Sequence, residues 1–149
     1  MKEKLYRNMI ELSNGKISSK ILQQIAQSRL SKNFIRSYSQ IYGINIQEVS
    51  KSPKEFTSLH DFFVRQLKEE VRPVDVRADI FASPVDAKIE AFGNIEDQEM
   101  FTVKNKPYSL IDLMGNETQG KRYNNGKYIV FYLSPADYHR IHSPLDGIV

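Results

Sequence analysis

The spacing of apolar residues changes along the chain, and this change constrains the fold more than any other feature of the sequence. In the first third, apolar residues recur at helical spacing, as in Ile17, Ile21, Leu22 and Ile25. From Phe81 onward, apolar and polar residues alternate or form short apolar runs, a pattern typical of strands. The sequence therefore predicts an α+β fold in which basic amphipathic helices come first and an antiparallel sheet or sandwich follows.

Two helices are predicted at the N-terminal end. They cover residues 1–12 and 17–42, where apolar positions recur every three or four residues. Asn14-Gly15 breaks the first helix, and Gly43 is the residue type that commonly ends a helix. We therefore expect a helical hairpin with a charged outer face.

A boundary follows at Ser52-Pro53. It predicts two domains, a basic helical region at 1–50 and an α+β domain at 51–149. Ser58 then begins a capping-box pattern, which predicts a short helix over residues 59–67.

The second domain has the turn signals of a strand-rich segment. Strands are predicted at residues 85–91, 100–103, 127–133 and 146–149. Turns are predicted at Gly93-Asn94 and at Asn124-Asn125-Gly126, and a helical turn at 108–113 should end at Gly115.

Charge is divided unevenly along the chain. Residues 1–40 hold eight basic and two acidic side chains, a net charge of +6, whereas the remainder holds 13 basic and 16 acidic ones, a net charge of −3. The basic helices could pack on the protein with a solvated face, or they could lie on an anionic membrane surface. No recognised nucleic-acid motif accompanies them, so we expect no nucleic-acid partner.

Two of the three histidines lie three residues apart, directly after the apolar run at 128–133. A strand that ends in a polar turn commonly presents proton-transfer groups to a cleft, which makes His139 and His142 candidate catalytic residues. They could bind a metal with a carboxylate such as Asp86, bond backbone carbonyls as a structural pair, or act as general acid and base. The spacing H-x-x-H is not a usual zinc spacing, so we predict no metal site.

General acid–base chemistry requires a carboxylate to orient an imidazole. Asp86 follows Ser83-Pro84-Val85 between apolar positions, where an aspartate needs an imidazolium, a guanidinium or backbone donors as its partner. It is the candidate orienting carboxylate, although an aspartate after such a turn is more often a turn or cap residue. Asp137 is expected to cap the turn after Pro135.

Several segments, taken in order, resemble the phosphatidylserine decarboxylase family. They are LHDFFVRQL at 59–67, RPV at 72–74, SPVD at 83–86, FTVK at 101–104 and YLSPADYHRIHSP at 132–144. Together these motifs are highly specific, and they cover the chain from Phe56 onward. The resemblance implies that residues 1–50 are the membrane-associating region and residues 51–149 part of the catalytic domain.

The family resemblance also implies a chemistry. In members of that family, an aspartate, a histidine and a serine cleave their own chain, and the serine becomes a pyruvoyl group. The pyruvoyl group acts as an electron sink while phosphatidylserine loses CO2 to give phosphatidylethanolamine. By motif match, Asp86 and His142 correspond to the self-processing pair and His139 to the histidine of the decarboxylation step. The implied partners are phosphatidylserine, an anionic phospholipid membrane at the cytoplasmic face of a bacterial cell, and a small pyruvoyl-bearing subunit. The resemblance leaves undecided whether the protein forms a homodimer.

Two departures from the family pattern matter. The family usually has glycine after the aspartate, and Ala87 would be strained there only if the position needs a positive φ. The serine lies in a Leu-Gly-Ser-Thr type motif that this sequence does not contain, so we expect it beyond Val149. We therefore expect a large-subunit portion, cut in mid-sheet and inactive alone. The alternatives are a non-catalytic fragment that binds anionic lipid, or a metal-dependent hydrolase using His139, His142 and Asp86.

Overall fold

The described residues form several helices and small antiparallel sheets, which confirms the predicted α+β class. The computed structural model describes residues 16–75, 77, 79–95, 100–103, 106–145 and 147. The described residues form two units, one from the parts of the chain before Lys88 and after Tyr132, the other from Lys88 to Tyr132. The predicted helix at 1–12, its break at Asn14-Gly15 and most of the predicted strand at 146–149 lie outside the described residues.

Within residues 16–87, the first unit shows three α-helices, which are α1 (Lys16–Gln27), α2 (Ile35–Tyr42) and α3 (Leu59–Phe63). The predicted single helix over 17–42 is wrong, because Arg29–Phe34 forms a 3-10 helix between α1 and α2. Ser28 interrupts the α-helix, since its backbone is extended and its hydroxyl donates to the Ile25 carbonyl oxygen at 2.7 Å. Gly43 ends α2 as predicted, with a φ of +67°.

Helix α3 is shorter than the predicted helix over 59–67. Ser58 caps it as expected, because the Asp61 backbone N–H donates to the Ser58 hydroxyl at 3.1 Å. The helix ends early because the next residues pair with an earlier segment: the Ser50 N–H donates to the Gln66 carbonyl oxygen at 2.9 Å, and Val49 and Leu67 form an antiparallel bridge. Tertiary pairing therefore overrides helix propensity after Phe63.

The core of the first unit forms where α2 and α3 meet. Phe62 is fully buried and makes edge-to-face contacts with Phe56 and Tyr38, at ring-centroid distances of 5.2 and 6.4 Å. Ala136 packs against the same core, so the segment that carries the two candidate histidines begins on it.

The described part of the second unit has two separate two-stranded antiparallel sheets and two short helices. Its elements are β1 (Lys88–Asn94), β2 (Met100–Val103), β3 (Lys106–Ser109), α4 (Leu110–Met114), α5 (Glu117–Lys121) and β4 (Lys127–Tyr132). Strand β1 pairs with β4, and β2 with β3. The predicted strands at 100–103 and 127–133 are confirmed.

Two sequence predictions in this unit need correction. The first strand begins at Lys88 rather than at residue 85, because residues 84–86 form a bend. The turn predicted at Gly93-Asn94 is wrong, since both residues belong to β1 and Asn94 pairs with Lys127. The turn before β4 is confirmed, and Asn125 within it has a φ of +62°.

Candidate active site

Asp86 and His142 border one cavity of the first unit, with a volume of about 740 Å³. Asp86 lies at the end of the 84–86 bend, and His142 lies in the segment after β4. A backbone hydrogen bond joins these segments, in which the His142 N–H donates to the Pro84 carbonyl oxygen at 2.8 Å. The fold thus brings together two predicted site residues that are 56 positions apart in the sequence.

The carboxylate of Asp86 binds Arg72. Arg72 Nε donates to Asp86 Oδ2 at 2.7 Å, and Arg72 Nη2 lies 3.3 Å from Glu48 Oε2. Partial burial acts to lower the pKa of Arg72, but the hydrogen bond and charge of Asp86, together with Glu48, outweigh it and raise that pKa. Among the described residues, no hydrogen bond joins Asp86 to the His142 imidazole. A guanidinium therefore serves as the partner that this aspartate requires.

The imidazole of His142 stacks on Tyr138. The ring centroids are 5.6 Å apart and the planes are inclined by 22°. His142 is exposed, and Tyr138 borders the same cavity. The stacking limits how the imidazole can turn while leaving it open to a group that enters the cavity.

His139 has different surroundings from His142. It is half-buried, its ring centroid lies 4.0 Å from that of Phe63, and its Nδ1 lies 3.0 Å from the Asp137 carbonyl oxygen. A carbonyl oxygen can only accept a hydrogen bond, so Nδ1 carries the proton. In the neutral ring, Nε2 is then the nitrogen that can accept a proton.

Asp137 caps the turn that precedes the histidines, as predicted. Its carboxylate Oδ2 accepts from the Ser134 N–H at 2.5 Å, and its own N–H donates to the Ser134 carbonyl oxygen at 3.0 Å. Asp137 therefore forms the turn, whereas Asp86 borders the cavity.

Ala87 fits the backbone without strain. Among the described residues, Asn125 is the one non-glycine residue with a positive φ, so the position after Asp86 does not require glycine.

The described part of the chain places no three histidine, aspartate or glutamate side chains where they could hold a metal ion together. The structure therefore does not assemble the set that a metal-dependent hydrolase would need from His139, His142 and Asp86.

Sequence reasoning missed Arg72 and Tyr138 as neighbours of the site. In the sequence, Arg72 stood out only as part of the RPV segment at 72–74 that resembles the family. The signal that could have found it is the requirement that a partly buried carboxylate has a cationic or hydrogen-bonding partner.

The geometry brings Asp86 and His142 to one cavity and places His139 in a separate environment. Residues 59–149, which contain all three side chains, match the model of the family described as phosphatidylserine decarboxylase. The chain belongs to the phosphatidylserine decarboxylase family.

Curated relatives agree with this assignment. The chain is 51% identical to the phosphatidylserine decarboxylase proenzyme of Bacillus mycoides (strain KBAB4) and 50% identical to those of Bacillus thuringiensis (strain Al Hakam) and Bacillus cereus (strain 03BB102). Each alignment covers the whole chain and 57% of the relative. The chain thus spans a little more than half the length of the relatives it matches.

Proposed function

We propose that this chain is the N-terminal, large-subunit portion of a phosphatidylserine decarboxylase proenzyme, and that the complete protein converts phosphatidylserine to phosphatidylethanolamine and CO2. The observation that carries this proposal is the meeting of Asp86 and His142 at one cavity, linked by the bond from the His142 N–H to the Pro84 carbonyl oxygen. Both residues lie within the segment that matches the family.

His142 acts as the general base of self-processing. Its exposed imidazole can take the proton of a serine hydroxyl that enters the cavity, which activates the oxygen for attack on the neighbouring carbonyl carbon. Asp86 orients this imidazole and stabilises its protonated form. To do so, Asp86 exchanges its bond to Arg72 for one to His142. Breaking the Arg72–Asp86 ion pair costs only about 1 kcal/mol or less, because the arginine side chain is 47% exposed.

His139 transfers a proton during decarboxylation through Nε2, because Nδ1 is occupied by the Asp137 carbonyl oxygen. The pyruvoyl group, once formed, supplies an electron sink for the loss of CO2. The cavity is bordered by the Arg72 guanidinium and the His142 imidazole, which can donate hydrogen bonds to such a group, and also by the carboxylates of Glu69, Asp75 and Asp86. Arg72 and His142 would hold the carbonyl and carboxylate oxygens by hydrogen bonding and charge.

A chimeric proenzyme tests the assignment. The part of the Bacillus mycoides relative that aligns with this chain is replaced with this chain, and self-cleavage is followed by gel electrophoresis while decarboxylation is followed by CO2 release. We expect the chimera to cleave itself and to decarboxylate phosphatidylserine. The 149-residue chain alone should release no CO2, because its sequence contains no Leu-Gly-Ser-Thr type motif.

Substitutions in the chimera separate the proposed roles. His142→Ala and Asp86→Asn should each slow self-cleavage at least about tenfold, as loss of a general base or its orienting group requires. His139→Ala should leave self-cleavage intact and lower decarboxylation, whereas His60→Ala serves as the matched control, because His60 is exposed on α3. Cleavage at the normal rate in His142→Ala would overturn the assignment of the base.

We further propose that the region before residue 51 holds the protein on the cytoplasmic face of an anionic membrane. Of the residues in this region whose exposure the structure describes, four apolar side chains are at least half exposed, namely Ile21 (52%), Ile25 (50%), Leu30 (77%) and Phe34 (50%). Exposed basic residues accompany them, among them Lys20, Arg29, Lys32 and Arg36. Apolar side chains flanked by cations are what an interfacial membrane contact needs. No helix in the described part of the chain is long and apolar enough to cross a membrane.

Vesicle co-sedimentation tests this second proposal. The chain should bind vesicles that contain phosphatidylglycerol, bind phosphatidylcholine vesicles weakly, and lose binding as salt rises. Leu30→Asn combined with Phe34→Asn should weaken binding about tenfold or more, since each removes apolar area from the contact. Val74→Asn is the control, because Val74 is 69% exposed but lies outside the region. Equal binding to both vesicle types at high salt would contradict the proposal.

A further inference from the structure

The last residue of α3 and the two residues that follow it each contact the turn that carries His139. The Phe63 ring packs on the His139 ring, and the Val64 carbonyl oxygen accepts from Arg140 Nε at 3.0 Å. Arg65 Nη2 donates to the carbonyl oxygens of Ala136 at 2.6 Å and Asp137 at 3.0 Å. The two segments are therefore held together in both directions, by an arginine of each segment bound to the backbone of the other.

Arg65 occupies an environment that is unfavourable for a cation. It is only 3% exposed, and desolvation by burial lowers its pKa, although Asp137 and Glu48 partly offset this. Among the described residues, its Nε and Nη1 have no hydrogen-bond partner. The guanidinium carbon lies 5.4 Å from the Phe62 ring centroid, which recovers part of the lost hydration. A hydrocarbon side chain of similar size could fill this space without that desolvation, so the hydrogen bonds from Nη2 are what distinguish arginine here.

The Asp137 carbonyl oxygen joins Arg65 to His139. It accepts from Arg65 Nη2 and from His139 Nδ1, each at 3.0 Å. A carbonyl oxygen has two lone pairs, so these two donors satisfy it fully. The bond from Arg65 also prevents the peptide group from turning away from the imidazole.

We infer that Arg65 is a positioning residue for His139, which fixes the Asp137 peptide group and thereby keeps His139 in the tautomer with the proton on Nδ1. This tautomer leaves Nε2 of His139 free to accept a proton. The catalytic importance of that free nitrogen rests on the proposed function, in which Nε2 transfers a proton during decarboxylation. Without Arg65 the peptide group can rotate, and the tautomer with the proton on Nε2 becomes populated.

Nitrogen-15 NMR of the imidazole rings tests this inference on the chain itself. At roughly pH 8.5, well above the usual histidine pKa near 6.5, we expect His139 of the unmodified chain to show a protonated Nδ1 and an unprotonated Nε2. In Arg65→Met, the ratio of the two tautomers should fall by about 2- to 10-fold, as the loss of one hydrogen bond allows. Arg65→Lys should restore most of the ratio, because an ammonium group can donate to the same carbonyl oxygen.

Arg122→Met is the matched control, since it removes an exposed arginine and should leave the His139 signals unchanged. A proton on Nε2 in the unmodified chain, or an unaltered tautomer ratio in folded Arg65→Met, would overturn the inference. Locating the proton on His139 in the unmodified chain needs no variant, so this test can be made even if Arg65→Met fails to fold. An inactive chimeric proenzyme would count against the proposed function and leave this spectroscopic result unaffected.

Discussion

In the arrangement that the structure describes, Asp86 should be energetically coupled to Arg72 and not to His142. A double-mutant cycle with Asp86→Asn and Arg72→Met measures the first coupling, and a cycle with Asp86→Asn and His142→Gln measures the second. The structure predicts a favourable coupling free energy in the first cycle, because Arg72 Nε lies 2.7 Å from Asp86 Oδ2. It predicts no coupling free energy between Asp86 and His142 in the second cycle.

The exposure of the ion pair sets the magnitude. The side chains of Arg72 and Asp86 are 47% and 29% exposed, so water screens the pair and its coupling should be about 0.2–1 kcal/mol. The short charge-assisted hydrogen bond places the value near the upper end of that range. Arg72 also contacts Glu48, so Asp86→Asn does not leave the guanidinium without a partner.

Urea unfolding at neutral pH and low salt provides the measurement, with the coupling taken from the four unfolding free energies of each cycle. Raising the salt concentration should reduce the coupling between Arg72 and Asp86. A coupling to His142 that exceeds the coupling to Arg72 would refute the reasoning, since it would mean that the aspartate and histidine are already paired.

Three further outcomes are expected. Phe62→Ala should destabilise the chain by about 3–5 kcal/mol in urea unfolding, because Phe62 is 0% exposed; Phe81→Ala, with the side chain 74% exposed, should change stability by less than about 0.5 kcal/mol. Gly126→Ala should destabilise the turn before β4, measurable by amide exchange, because its Cβ would lie 2.7 Å from the Tyr123 carbonyl oxygen. The hydrogen bonds from the Ser109 hydroxyl and N–H lower the pKa of Asp112 below its usual 3.8. These bonds should therefore stabilise α4 fully above pH 3.8, and the stabilisation should be lost as the pH falls through the lowered pKa. The amide signals of residues 110–114 would show this loss.

The helical limits show how far local sequence rules reach. Gly43 and Ser58 act as predicted because capping depends on a residue and its immediate neighbours. The break at Ser28 and the early end of α3 were not predicted. The second follows from the pairing of Val49 with Leu67, and a contact across 18 positions leaves no local periodic signal.

The strands show the same division. The turn at 124–126 was readable from its Asn-Asn-Gly composition, because few residues tolerate a positive φ. Gly93-Asn94 has a similar composition yet lies in β1, where pairing with Tyr128 and Lys127 keeps the chain extended. Sheet partners, which sequence composition does not reveal, decide between these outcomes.

The sequence by itself determined the family and the residue types of the candidate site, because the motifs around Asp86, His139 and His142 are contiguous and depend on short spacing. It also indicated that Asp86 needs a charged or hydrogen-bonding partner. Only the tertiary structure decided that this partner is Arg72, that His142 faces the same cavity as Asp86, and that Arg65 reaches the backbone beside His139. These contacts join residues 14 to 72 positions apart, and burial and chain packing determine them rather than local pattern.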